Sequence, residues 1–263
     1  QVLKDFRSGQ EDKLQNQLKC QGSFFANVTK FALSKLNKIW CASQSKLPTN
    51  IYNFTVRYMN NSLPTRRNLA RWGITPSSDC SYCLAPETLL HVVAGCQSYL
   101  ERFTWRHDSI LNFIATNLQT IRNSCLYVDL KGYKSPSIIT GETYRPDLLL
   151  SISNECLYIV ELTVGYESNL YNNVKRKQSK YSELIREQKE KFNSVKFVNL
   201  SISSLGVFAN ECSTFIEMLH ELGIEYNHEK YLIRRITTIA IRTTYYIFCC
   251  RNKEWSGPEL LTF

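Results

Sequence analysis

Four residues constrain this chain more than any other feature: Cys80-x2-Cys83-x7-His91-x4-Cys96, three thiols and an imidazole within 17 residues. A segment this short cannot bury a core of its own. It can close around a tetrahedral divalent cation, and a C-x2-C turn is the commonest way to present two thiolates to zinc. Pro86-Glu87 predicts the start of a short helix carrying His91 toward the turn. In a continuous helix, His91 and Cys96 would stand about 140° apart. Gly95 is expected to end that helix and let Cys96 swing back. Four protein ligands leave no open position, so the zinc would be structural. The competing reading is coincidence in a cysteine-rich chain.

Ten cysteines make that alternative concrete. The other seven, Cys20, Cys41, Cys125, Cys156, Cys212, Cys249 and Cys250, sit singly or paired in apolar stretches and are expected to be buried free thiols. Free thiols imply a reducing compartment. The chain opens Gln1-Val2-Leu3 without Met or a signal-peptide core, which reads as a piece of a longer protein. The longest apolar stretch, residues 236–250, is interrupted by Arg242 and four Thr, so no membrane span is expected. A formal charge of +9 points toward a polyanion, and 43% hydrophobic residues exclude a mainly disordered chain.

Periodicity divides the chain into a helical first part, the Cys/His segment and an α/β second part. Phe24, Phe25, Val28, Phe31, Ala32, Leu36 and Trp40 lie at helical spacing within residues 1–45. A second helix is expected over 51–60, and Arg66, Arg67 and Arg71 form a short basic helix before Gly73. Beyond the Cys/His segment, a helix is predicted over 99–122 and strands over 126–130, 145–152 and 156–164. A basic helix over 170–193, a strand over 195–202 and helices over 211–222 and 229–248 complete the pattern.

The α/β part carries two carboxylates in suggestive positions. If Ser153 to Glu155 is a three-residue hairpin loop, Asp147 lies directly opposite Glu161. Two carboxylates that close repel one another and resist burial unless a cation compensates, and oxygen-only ligation favours Mg²⁺ or Mn²⁺. A two-residue turn would put them on opposite faces, and pairing of one carboxylate with Arg145 is the bland alternative. Lys177 and Lys180 then share a face of the basic helix, with Tyr181 beside them. A lysine at such a site can stabilise charge on a phosphorane.

These features in this order resemble the C-terminal region of site-specific non-LTR retrotransposon proteins, in which a CCHC zinc knuckle precedes a restriction-like PD-(D/E)XK endonuclease. The matching residues are Leu63-Pro64-Thr65 through Trp72-Gly73, the knuckle, Arg106-His107-Asp108, and Arg145-Pro146-Asp147 with Glu161 after 13 intervening residues. Lys177 and Lys180-Tyr181 end the series, so the resemblance covers roughly residues 60 to 200. It implies a helical linker (1–75), a zinc knuckle (76–98) and a nuclease domain (99–263) with a central mixed sheet flanked by helices.

The implied activity is nicking of target DNA, the new 3′ hydroxyl priming reverse transcription of the element's RNA by a polymerase domain of the same polypeptide in the nucleus. Asp147 and Glu161 would hold Mg²⁺ or Mn²⁺, with Lys177 or Lys180 supporting the transition state. Nucleic-acid contacts are expected at Arg66, Arg67, Arg71, Arg106, His107, Arg145, Lys175, Arg176 and Tyr181. The chain departs from the general nuclease pattern at Thr163, where many such enzymes carry lysine, so the lysine must come from the following helix. An acidic residue from an earlier helix is represented only by Asp108 or Glu101. Tyr127-Val128-Asp129 is followed by Leu130, so the polymerase signature Tyr/Phe-x-Asp-Asp is missing. The rival reading is a catalytically inactive nucleic-acid-binding module with a structural zinc knuckle.

Overall fold

The computed structural model describes residues 2–21, 23–153 and 155–261, without the side chains of 2, 3, 11, 15–21 and 23. The expectation for the thiol of Cys20, and those for residues 1, 22 and Asn154, therefore lie outside the described residues. The fold is mixed α/β: a four-stranded sheet flanked by helices, preceded by a helical region.

The first part does not run as one helix. It divides into α1 (Val2–Gln21), α2 (Ser23–Phe31) and α3 (Asn37–Gln44), followed by α4 (Thr49–Met59) and α5 (Arg66–Arg71). Tertiary pairing overrides helical propensity at the break after α2. Leu33 donates its N–H to the Phe208 carbonyl at 2.8 Å, and Ala32 bridges to Ala209. Trp40 of α3 then donates Nε1–H to the Leu205 carbonyl at 2.8 Å. Asn61-Ser62-Leu63-Pro64 does end a helix as expected, and Thr65 caps α5 by accepting the Asn68 N–H.

The second part begins with α6 (Leu100–Leu118), β1 (Ser124–Val128) and a short α7 (Ser137–Thr140) that periodicity misses because it is a single turn. Then come β2 (Leu148–Ile152), β3 (Cys156–Gly165), α8 (Leu170–Gln188), β4 (Ser194–Ser203), α9 (Ser213–Glu221) and α10 (Tyr226–Cys249). Strand order follows chain order: β1, β2 and β3 are antiparallel neighbours, and β4 runs parallel to β3 after the α8 crossover. Strands β2 and β3 are largely buried on both faces and read as apolar runs broken at Ser151, Glu161 and Thr163.

The period-two alternation of β2 and β3 separates two packing surfaces. Leu149, Leu157 and Ile159 meet Tyr181 and Leu184 of α8. Leu148, Leu150, Tyr158, Val160 and Leu162 face the main core built with α6, α9 and α10. A further core joins Phe24, Ile51, Phe54 and Tyr58 to Cys80, Val92, Val93 and Cys96, and also takes in Tyr166, Leu205, Ile241 and Phe248. The Cys/His segment therefore folds against both the helical region and the last turns of α10.

Cysteine burial departs from expectation. Cys212 is buried, but Cys41, Cys125 and Cys249 are exposed and Cys156 and Cys250 partly so. Their apolar neighbours fill the inward face of each element, which leaves the outer position to the small thiol.

Two features of this scaffold have measurable consequences. Gly206 follows β4 with φ +71°, and a Cβ there would stand 2.7 Å from the Thr237 Cα and 2.9 Å from its carbonyl oxygen. Backbone cannot yield as a side-chain tip can, so Gly206→Ala is expected to destabilise the protein by about 2 kcal/mol or more. Urea denaturation of the variant is the check, and an unchanged midpoint refutes the close approach.

The second feature is a buried polar group around Glu167, which is wholly buried and accepts the Tyr58 hydroxyl at 3.2 Å. Burial pushes its carboxyl from the ordinary 4.5 up to about 7, against the opposing pull of its hydrogen bonds. The folded protein thus holds this proton more tightly than the unfolded chain. The contribution is full below about pH 4.5 and disappears as pH rises through 7, an effect on the order of 3 kcal/mol. Stability should decline from pH 5 to 8 in the wild type and less steeply in Glu167→Gln; equal slopes in thermal melts would defeat the assignment.

Candidate metal centres

The Cys/His segment begins as a tight turn. Cys80 N–H donates to the Ala85 carbonyl at 2.8 Å and Leu84 N–H to the Cys80 carbonyl at 3.2 Å, with Leu84 at φ 59°. Pro86 does not open the following helix. It bridges to Asp79, and the helix starts at Leu89, with the Thr88 hydroxyl accepting the His91 N–H at 3.0 Å. Glu87 is buried instead, accepting the Arg66 backbone N–H at 2.9 Å and facing Arg251 Nε at 3.5 Å. It bolts α5 and the end of α10 to the turn.

The angular mismatch between His91 and Cys96 is resolved by a wider turn. Residues His91–Gly95 form a π-turn, with Cys96 N–H donating to the His91 carbonyl five residues back at 2.8 Å. Gly95 is not left-handed; a Cβ there would stand 3.0 Å from the Leu90 Cδ2 side-chain tip, a tight contact that Leu90 would have to yield to. The result is convergence. The Sγ atoms of Cys80, Cys83 and Cys96 and a ring nitrogen of His91 all lie within 4.8 Å of one another. Cys83 Sγ stands 3.3 Å from His91 Nε2 and 3.8 Å from Cys96 Sγ. A tetrahedral zinc with Zn–S near 2.3 Å and Zn–N near 2.0 Å requires edges of about 3.8 Å for S–S and 3.5 Å for S–N. The donor set and its dimensions therefore fit zinc. Burial pushes the Cys96 thiol up to about 12, whereas a hydrogen bond with the Ala85 backbone lowers Cys83. A bound dication is what would draw off the buried proton.

The second cluster forms where β2 begins, beside the middle of β3. Their pairing runs from Ile152↔Cys156 to Leu148↔Val160, the register of a three-residue loop, and its continuation sets Asp147 beside Glu161. Asp147 donates its N–H to Glu161 Oε2 at 3.3 Å, and Asp147 Oδ2 accepts the Leu162 N–H at 2.8 Å. Glu161 is 2% exposed and ion-paired through Oε1 to Lys177 of α8. Burial, then the Asp147 charge, raises the Glu161 pKa, and Lys177 opposes both. Lys180, one turn on, reaches the Tyr181 hydroxyl at 2.9 Å instead.

His107 of α6 completes this cluster. Its Nε2 lies 3.4 Å from Asp147 Oδ2 and its Nδ1 3.0 Å from Asp108 Oδ1. Burial works against a charged imidazole, but hydrogen bonds to Asp108 and Asp147 outweigh it and push its pKa up to about 10. His107 thus stands in the carboxylate cluster rather than on an open nucleic-acid surface. Asp108 reaches the cluster only through His107, whereas Glu101 is exposed in the first turn of α6.

Other expected positions divide by exposure. Arg106 is not a surface contact: it is wholly buried, donating to Ser204 Oγ at 3.3 Å and Thr244 Oγ1 at 3.1 Å. Helical spacing with Arg102, Trp105, Ser109 and Ile110 was the available signal that it points inward. Tyr181 is likewise buried, its hydroxyl donating to the Arg145 carbonyl at 3.1 Å, so it supports the site from beneath. Arg145 is exposed but paired with Asp129, not with either site carboxylate. Arg66 is half-buried and donates to the Asp79 carbonyl at 3.2 Å. Lys175 and Arg176 are exposed on α8, and Arg67 and Arg71 line a 420 Å³ cleft with Asn61 and Thr88.

A comparison with curated proteins returned no match. The family described as zinc-binding in reverse transcriptase matches residues 23–105, from α2 into the first turns of α6. That span contains all four converging ligands, so this chain carries a zinc-binding segment similar to those associated with reverse transcriptases.

Proposed function

We propose that the chain is part of a non-LTR retrotransposon protein whose α/β portion is a metal-dependent DNA endonuclease acting beside a structural zinc knuckle. The observation that carries this reading is the meeting of Asp147, just before β2, with Glu161 of β3 and Lys177 of α8. Asp147 and Glu161 would hold Mg²⁺ or Mn²⁺, which when bound polarises the scissile phosphate and lowers the pKa of an attacking water. Glu161 is positioned by the Asp147 N–H and by Lys177. Lys177, released in part from Glu161, can turn its ammonium toward the charge developing on phosphorus. Tyr181 holds the backbone at Arg145 and takes the Lys180 ammonium on its hydroxyl. Exposed Arg67, Arg71, Lys175 and Arg176 would neutralise phosphates of target DNA or element RNA, and a reverse transcriptase domain of the same polypeptide would use the nicked end in the nucleus.

One observation favours a second reading, the inactive binding module: the Lys177–Glu161 ion pair already compensates the buried carboxylate without a cation. Supercoiled plasmid distinguishes the two. Mg²⁺-dependent conversion to nicked circles, abolished by chelator, supports the endonuclease. Plasmid binding without nicking in Mg²⁺ or Mn²⁺ supports the inactive module.

A further inference from the structure

His107 is bracketed by carboxylates on two sides, and no part of the DNA-cleaving role assigned to Asp147, Glu161 and Lys177 uses it. We propose that His107, held by Asp108, is a positioning residue that orients the Asp147 carboxylate for metal binding; this rests on the endonuclease reading and adds a residue to it. Asp147 Oδ2 takes the Leu162 N–H at 2.8 Å and faces His107 Nε2 at 3.4 Å. Among the described residues no donor reaches Oδ1, so that oxygen is left to a cation. A carboxylate hydrogen-bonded at one oxygen by the Leu162 N–H and faced there by an imidazole is restricted in its rotation, and such supporting contacts commonly set metal affinity.

The support is rigid for a stated reason. On one side of His107 the Arg106 guanidinium is locked to Ser204 and Thr244. On neighbouring turns Arg102 donates to the Cys250 and Lys253 carbonyls at 2.7 Å each, and Trp105 to Glu259 at 3.0 Å. Ser109 Oγ accepts the Leu261 N–H at 3.3 Å. Helix α6 is thereby strapped by the C-terminal segment, so the imidazole is presented from a fixed platform.

The test is Mn²⁺ binding to the zinc-loaded full chain, read by the paramagnetic signal of free Mn²⁺. His107→Ala is expected to weaken binding about 10- to 100-fold. His107→Gln, whose amide still offers an N–H toward Asp147, is expected to retain most of the affinity. Unchanged affinity in His107→Ala, with Mn²⁺ binding lost in Asp147→Asn, would overturn the positioning role and leave the endonuclease reading standing. Equal Mn²⁺ binding by wild type and Asp147→Asn would overturn the metal centre itself, and the positioning role with it.

Discussion

Asp147→Asn is expected to abolish Mg²⁺-dependent nicking, a loss on the order of 10³-fold or more, while plasmid affinity changes little. The substitution is nearly isosteric, so Leu162 can still donate to the retained oxygen and the β2–β3 register is undisturbed. What disappears is a negative charge next to a second, buried carboxylate. On the proposed reading, phosphate contacts fall to exposed side chains such as Arg67, Arg71, Lys175 and Arg176, which is why binding should survive. The lysines divide by the same geometry. Lys177 is in contact with Glu161, whereas Lys180 bonds Tyr181, so Lys177→Ala should slow nicking far more than Lys180→Ala. Gel quantitation of nicked circles over time decides both; full nicking by Asp147→Asn sinks the assignment.

Cys96→Ser should cost the protein its zinc and much of its fold. The thiol is wholly buried and belongs to the core shared by Phe54, Tyr58, Val92, Val93, Ile241 and Phe248. Sites of this kind bind zinc with apparent free energies of about 10–16 kcal/mol, comparable with the net stability of a whole domain. Loss of the ion is therefore expected to lower Tm by roughly 10 °C or more and to loosen the packing of α4 and α10. Cys249→Ser, at an exposed thiol, serves as the control that should change neither Tm nor metal content. One zinc per chain by elemental analysis in the wild type, and still one in Cys96→Ser, would refute the four-ligand site.

The two centres differ in how visible they are in the residues. The knuckle is local: its ligands span 17 residues, and C-x2-C with a following His and Cys announces the donor set without any long-range information. Its detailed geometry was less visible, because a π-turn with a glycine that is not left-handed leaves the same spacing as an ordinary helix end. The strand register was readable too, since the length of a hairpin loop determines which residues face each other. Long-range partners were not. Arg106, His107 and Asp108 are consecutive, yet one is sealed against α10, one meets Asp147 and one meets its neighbour's ring. A hundred-degree step per residue sends adjacent helical side chains to different surroundings, and sequence alone does not say what waits there. The split of the long N-terminal pattern into α1, α2 and α3 has the same origin, in the pairing of Ala32 and Leu33 with the loop after β4.

Sequence by itself determined the zinc ligand set and the mixed α/β class, because each depends on short-range spacing and on the periods of helix and strand; it offered the facing of Asp147 and Glu161 as one of two hairpin registers, and the structure selected it. Tertiary structure alone decided that Lys177 rather than Lys180 reaches Glu161, that Arg106 bonds Ser204 and Thr244 and Tyr181 the Arg145 carbonyl, and that His107 joins the carboxylates. Those outcomes depend on how α6 and α8 pack against the sheet. Packing is fixed by the summed burial of many apolar side chains, so no single motif encodes it.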